Sequence, residues 1–146
     1  MYPFLLFAHI LAATLWTGGH LVLALGFLPE ALRRQDIGLI EQFEQRYENI
    51  GLSALAIQIL SGIWLANLRQ PDWQRWLSFS DATSSLIALK LILLAVTLAL
   101  ALHARLRLLP NLAPQNLQVL AWHIFGVTAL SVLFLVVGIG FRSGGI

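Results

Sequence analysis

Four apolar stretches of membrane-spanning length divide this chain, and its polar residues gather between them. The first stretch, Phe4 to Leu28, contains no Asp, Glu, Lys or Arg. About 20 apolar residues are enough to cross a bilayer as a helix. A first helix is therefore predicted over about 3–28, with Pro3 in its first turn and Pro29 just past its end. The polar segment Pro29–Tyr47 follows. Within it Ile37, Ile40, Phe43 and Tyr47 recur at helical spacing, which predicts an amphipathic helix on the membrane surface over about 36–47. A solvated connector is the plainer alternative.

A second spanning helix is predicted over about 49–68, a third over about 82–108 and a fourth over about 116–141. Gln58, near mid-span, should hydrogen-bond inside the bundle, and Ser61-Gly62 should allow close helix approach. Trp73, Trp76 and Phe79 in the loop Arg69–Ala82 fit an interfacial aromatic belt, and Asp81 fits an N-cap for the third helix. Pro110 and Pro114 punctuate the last turn, and Arg142–Ile146 forms a short frayed tail. The expected fold is all-α: an up-down, four-helix transmembrane bundle forming a single transmembrane domain, 1–146.

Composition makes the bilayer the first partner. The chain is 58% hydrophobic and 11% charged, against about 25% charged in a soluble domain. No basic stripe points to nucleic acid. There is no cysteine, which excludes disulfides, iron–sulfur clusters and thiolate metal sites. The only methionine is Met1, so the soft sulfur ligands that suit Cu(I) are missing from the interior. The first apolar run is too long for a signal-peptide core and lacks a basic leader, so it reads as a retained helix.

Four spans put both termini on one side, side A, together with the Trp-rich loop. Arg33, Arg34, Arg46, Arg105 and Arg107 lie near side B; Arg69, Arg75 and Arg142 lie near side A, with Lys90 deeper. That bias makes side B cytoplasmic. The expectation is a multi-pass protein of a bacterial-type inner membrane with periplasmic termini.

The chemistry lies in the histidines. His9 and His20 are eleven residues apart, which returns to within about 20° of one helix face at a rise of roughly 16 Å. Trp16 shares that stripe. Alternating helix direction brings His20, His103 and His123 to one leaflet on three helices, whereas His9 and Lys90 share the other. Two imidazoles on facing helices can ligate a heme iron, and three can make a nitrogen site for copper or zinc. Arg105 and Arg107 could neutralise heme propionates. Lys90 could hold an anion, snorkel, or pair with Asp81. His103 and His123 could equally be plain headgroup-level residues.

A family resemblance adds to this. His9-x6-Trp16-x-Gly18-Gly19 followed by Leu28-Pro29 resembles the first helix of the CopD (copper resistance protein D) family. Phe43-x2-Arg46-Tyr47 with Ser61-Gly62 is similar to its second segment. Leu89-Lys90-Leu91 and the run His103 to Pro110 resemble its third. The same superfamily holds the HemJ-type protoporphyrinogen oxidases, small four-helix proteins that bind heme b; His9-x6-Trp16, Lys90 and His103 resemble that branch too. After Trp16 the sequence departs from the HemJ pattern.

The leading expectation is a small heme b protein carrying out electron transfer or a simple redox reaction, as a heme-dependent membrane oxidoreductase. His20, His103 and His123 are its axial-ligand candidates. His9, Trp16, Lys90, Arg105 and Arg107 complete the candidate cofactor or metal contacts, and the heme is non-covalent because no thioether link is available. The alternatives are a copper-binding or copper-transport protein with a histidine site and no redox turnover, and a non-catalytic accessory subunit. A membrane or periplasmic redox partner goes with the first reading. A homodimer could form through Gly18, Gly19, Gly126 and Gly138.

Overall fold

A computed structural model describes residues 1–143, with side chains to residue 141; the expected frayed tail lies mostly outside the described residues. Four helices long and apolar enough to cross a membrane account for nearly all of it, and no strand occurs among the described residues. Helix α1 spans Tyr2–Arg34, α2 Gly38–Arg69, α3 Ala82–Asn111, and α4 Leu117–Ser143 behind a 3₁₀ turn, Pro114–Asn116.

The first helix does not stop before Pro29. A π-turn, Leu23–Phe27, intervenes, and the Leu28 N–H reaches back five residues to the Leu23 carbonyl. Proline has no N–H, and its ring crowds the carbonyl four residues back. A widened turn just before it lets the helix run on to Arg34. The same device precedes Pro110, where Ala104–Leu108 forms a π-turn and the Leu109 N–H bonds the Ala104 carbonyl. The long α1 finally ends at Gln35, which adopts a left-handed conformation (φ 53°). Asp36 Oδ1 then accepts the Gly38 N–H at 2.9 Å and starts α2.

A second correction concerns 36–47 and 49–68, expected as two helices. They are one helix of 32 residues. No helix breaker stands between Tyr47 and Ile50, and Gly51 is tolerated because it is buried against Tyr47. Ile40 and Phe43 of the extension are not lipid-surface residues. They pack on Leu28, Ala31, Leu117 and Leu120 in an apolar cluster at the side-B end.

Trp73–Leu77 forms a 3₁₀ helix with Trp73 exposed, and the Trp76 indole N–H donates to the Gln70 carbonyl at 2.8 Å. Asp81 caps α3 through the Ser84 N–H in a reciprocal box. Its carboxylate also meets Arg75 at 3.0 Å rather than Lys90.

Packing runs in the order α2–α1–α4–α3. Helices α2 and α3, at the ends of that order, make no substantial contact. The α1–α4 seam uses buried small polar residues. Thr17 Oγ1 donates to the Ser131 carbonyl at 3.5 Å, and Thr128 Oγ1 to the His20 carbonyl at 3.3 Å. Gly19, Gly126 and Gly138, expected as a possible dimer face, each meet a side chain of their own chain: Tyr47, Leu100 and Lys90.

Candidate functional site

The gap between α2 and α3 holds a cavity of about 120 Å³ at the side-B end, walled by all four helices. His20 and His123 line it, with Trp16, Tyr47, Glu48 and Arg105.

His20 is fixed from three directions. Its Nδ1–H donates to the Trp16 carbonyl one turn back at 2.9 Å. The Trp16 ring, buried to 7% exposure, lies tilted against the imidazole with centroids 4.3 Å apart. Tyr47 of α2 meets it edge-on at 6.2 Å. The Tyr47 hydroxyl donates to the Leu15 carbonyl at 2.8 Å and to the Trp16 carbonyl at 3.3 Å. One α1 carbonyl thus accepts from both the imidazole and the phenol. With Nδ1 carrying the proton, Nε2 of His20 keeps a lone pair for a ligand.

Tyr47 was visible in the sequence as an apolar position of a surface helix and as part of the Phe43-x2-Arg46-Tyr47 motif, with no role assigned to it. Its place is made by glycines. A Cβ on Gly19 would lie 2.1 Å from Tyr47 Cζ, and one on Gly51 2.8 Å from Cε1. A glycine on each of two neighbouring helices facing one aromatic was the signal that could have found it.

His103 and His123 meet directly. His103 Nδ1 lies 2.9 Å from His123 Nε2, with the rings stacked at 4.9 Å. The other nitrogen of His123, Nδ1, donates to the Val119 carbonyl at 2.9 Å. Nε2 of His123 is therefore the acceptor and His103 the donor. His123 is half-buried on the cavity wall; His103 is exposed beside it.

The expected histidine trio is thus a pair plus a neighbour. Among the described residues no group of three His or carboxylate side chains is close enough to hold a metal ion. The arginines separate too. Arg105 pairs with Glu48 across the gap from α3 to α2, whereas Arg107 is exposed and does not line the cavity. Heme b, with the electron-transfer or oxidoreductase role attached to it, finds no support here. The cavity is well below the roughly 300 Å³ at which pockets for organic ligands begin.

His9 and Lys90 lie in the other leaflet. His9 Nδ1 is 2.8 Å from Ser61 Oγ, and a Cβ on Gly62 would come within 3.2 Å of the imidazole. The close approach expected of Ser61-Gly62 is what seats His9. Gln58 departs from expectation: its buried side-chain oxygen has no partner among the described residues. Lys90 stands over the Phe141 ring at 5.3 Å.

The side-B site offers imidazole nitrogens, with the carboxylates of Glu44 and Glu48 also on the cavity wall. Imidazole suits copper and zinc. Two nitrogens on adjacent corners of a square-planar copper site, each about 2.0 Å from the metal, are separated by about 2.8 Å. The His103–His123 separation of 2.9 Å, set by their hydrogen bond, is close to this value, and the rings must turn for both lone pairs to face one ion.

No curated protein and no solved structure matches the chain. The link to the HemJ branch rests on sequence resemblance alone. Residues 41–141 match the family described as Copper resistance protein D, CopD, and the chain, a four-span membrane protein, belongs to that family.

Proposed function

We propose that the protein handles copper within the membrane, taking Cu(II) as cargo on the His103–His123 nitrogen pair. The observation that carries this reading is the approach of those two nitrogens to 2.9 Å, with His123 held by the Val119 carbonyl in the tautomer whose Nε2 can bind a metal; for His103 Nδ1 to ligate as well, the proton it donates to His123 must move to its own Nε2. Metal-binding histidines are oriented in this way by their second nitrogen. Two protein ligands leave coordination positions open. Such a site exchanges its ion with water or a partner rather than storing it. His20, with Nε2 unused on the same cavity wall, is a further nitrogen toward which an ion can be passed.

The test is Cu(II) binding to detergent-purified protein, followed by electron paramagnetic resonance. The expected spectrum shows hyperfine coupling to two imidazole nitrogens. His103→Ala and His123→Ala should each weaken binding at least tenfold, while His9→Ala leaves it unchanged. Equal binding by wild type and both side-B variants would reject the site. The same sample decides against the copper reading if it carries a Soret band and binds no copper.

A further inference from the structure

The side-A end of the bundle presents a charge problem that the copper site does not use. Arg69 closes α2, and its Nη1 donates to the Phe141 carbonyl at 3.2 Å. Its Nη2 lies 3.5 Å from the Tyr2 hydroxyl of α1. Its guanidinium also stands 5.6 Å from the centre of the Phe141 ring. The Lys90 ammonium, from α3, stands 5.3 Å from the centre of that same ring. One aromatic side chain of α4 thus brings together two cations from two other helices.

Among the described residues neither cation has a carboxylate partner. The ion pairs among the described residues are Arg33 and Arg34 with Glu30, Arg75 with Asp81, and Arg105 with Glu48. Lys90 is half-buried and rooted about 12 Å along α3 from Ala82. Its ammonium lies beside Gly138, 3.5 Å from where a Cβ there would stand. A cation at that depth is costly without a counter-charge. Attraction to a ring face offsets only part of this.

We infer that Arg69 and Lys90, gathered on Phe141, form a binding site for a phosphate group at the side-A membrane boundary. A phosphate is the chemistry that two such donors recognise: the guanidinium offers a planar fork and the ammonium a point charge. Basic pockets between transmembrane helices take lipid headgroups in this way. The phosphate can come from an anionic phospholipid or from solution. The site is independent of the copper pair, which lies at the opposite end of the bundle.

The experiment is native mass spectrometry of full-length protein released from vesicles of phosphatidylglycerol or of phosphatidylcholine, with inorganic phosphate as a competitor. Wild type should retain phosphatidylglycerol in preference to phosphatidylcholine. Arg69→Gln and Lys90→Gln should each weaken retention about fivefold, and Lys90→Arg should preserve it. Helical circular dichroism and copper binding check that each variant is folded. Arg69 is exposed at a helix end, so its variant tests the site even if Lys90→Gln fails to fold. Displacement of the lipid by millimolar phosphate would identify free phosphate as an equal ligand and support the site. Equal retention of both lipids with no effect of phosphate would overturn the inference. So would unchanged retention by the Arg69→Gln, Lys90→Gln double variant.

Discussion

Gly18 and Gly19 are neighbours in sequence and opposites in packing. Nothing lies within 4 Å of where a Gly18 Cβ would stand, but a Gly19 Cβ would fall 2.1–2.3 Å from three atoms at the tip of the Tyr47 ring. Ordinary carbon contacts begin near 3.5 Å, so in Gly19→Ala the ring must retreat by more than about 1 Å. It cannot do so cheaply, because Gly51 already holds its other flank closer than a Cβ would allow. Retreat also strains the hydroxyl bonds to the Leu15 and Trp16 carbonyls, at 2.8 and 3.3 Å. Overpacking costs about 1–3 kcal/mol, and a hydrogen bond between membrane helices adds about 0.6 kcal/mol. Less the gain of up to about 1 kcal/mol in helix propensity, Gly19→Ala should destabilise by roughly 1–2.5 kcal/mol. Gly18→Ala should be neutral, or stabilising by up to about 1 kcal/mol from helix propensity. Reversible unfolding in mixed detergent and dodecyl sulfate, followed by circular dichroism, measures both. Adding Tyr47→Ala to Gly19→Ala should cost much less than the sum of the two single changes, since the clash is then gone. Equal stability of the two alanine variants would refute the reasoning.

Asp81 is held below the usual carboxylate range, chiefly by the Ser84 backbone N–H it accepts, with the Arg75 charge assisting. Its contribution to stability is therefore fully present above about pH 4 and lost as pH falls through the lower folded value. Asp81→Asn should flatten acid unfolding across that window, as followed by melting temperature against pH. Arg105→Gln should change stability by less than about 1 kcal/mol, because both members of the Glu48 pair are more than a third exposed. It should nevertheless lengthen the α2–α3 separation, measured between spin labels at residues 52 and 101. An alkaline phosphatase fused to the C-terminus should be active, which places Arg33-Arg34 in the cytoplasm; an inactive fusion with an active cytoplasmic reporter inverts the topology.

The four spans were legible because apolar length is a strong signal and nothing in water-soluble chemistry imitates it. Their ends were not. Pro29 reads as a stop, and only the π-turn before it shows how the helix passes through. Tyr47-Glu48-Asn49 reads as a boundary between surface and membrane, yet hydrogen bonding continues through it because no residue there breaks a helix. The common leaflet of His20, His103 and His123 followed from helix direction alone. Which two of them touch depended on which helices pack together, and the apolar faces in lipid carry little pattern to reveal that order. His103 and His123 meet because α3 and α4 are adjacent and joined by a short turn. Tyr47, Gly19 and Gly51 went unread as a unit because their connection exists only between helices.

The packing order α2–α1–α4–α3 has a consequence for how the molecule assembles. Its most extensive contacts join sequence neighbours, α1 with α2 and α3 with α4. Each pair is a helical hairpin whose partners find one another across a short connection. The two hairpins then meet along the α1–α4 seam, where hydroxyls of Thr17 and Thr128 reach carbonyls across it. The segment 70–81 packs with the second hairpin, through its 3₁₀ turn and the Asp81 cap, so a cut near residue 71 leaves that hairpin whole. A chain severed there should still yield two halves that insert separately and recombine in the bilayer, with the imidazole pair complete in the second half before the first arrives.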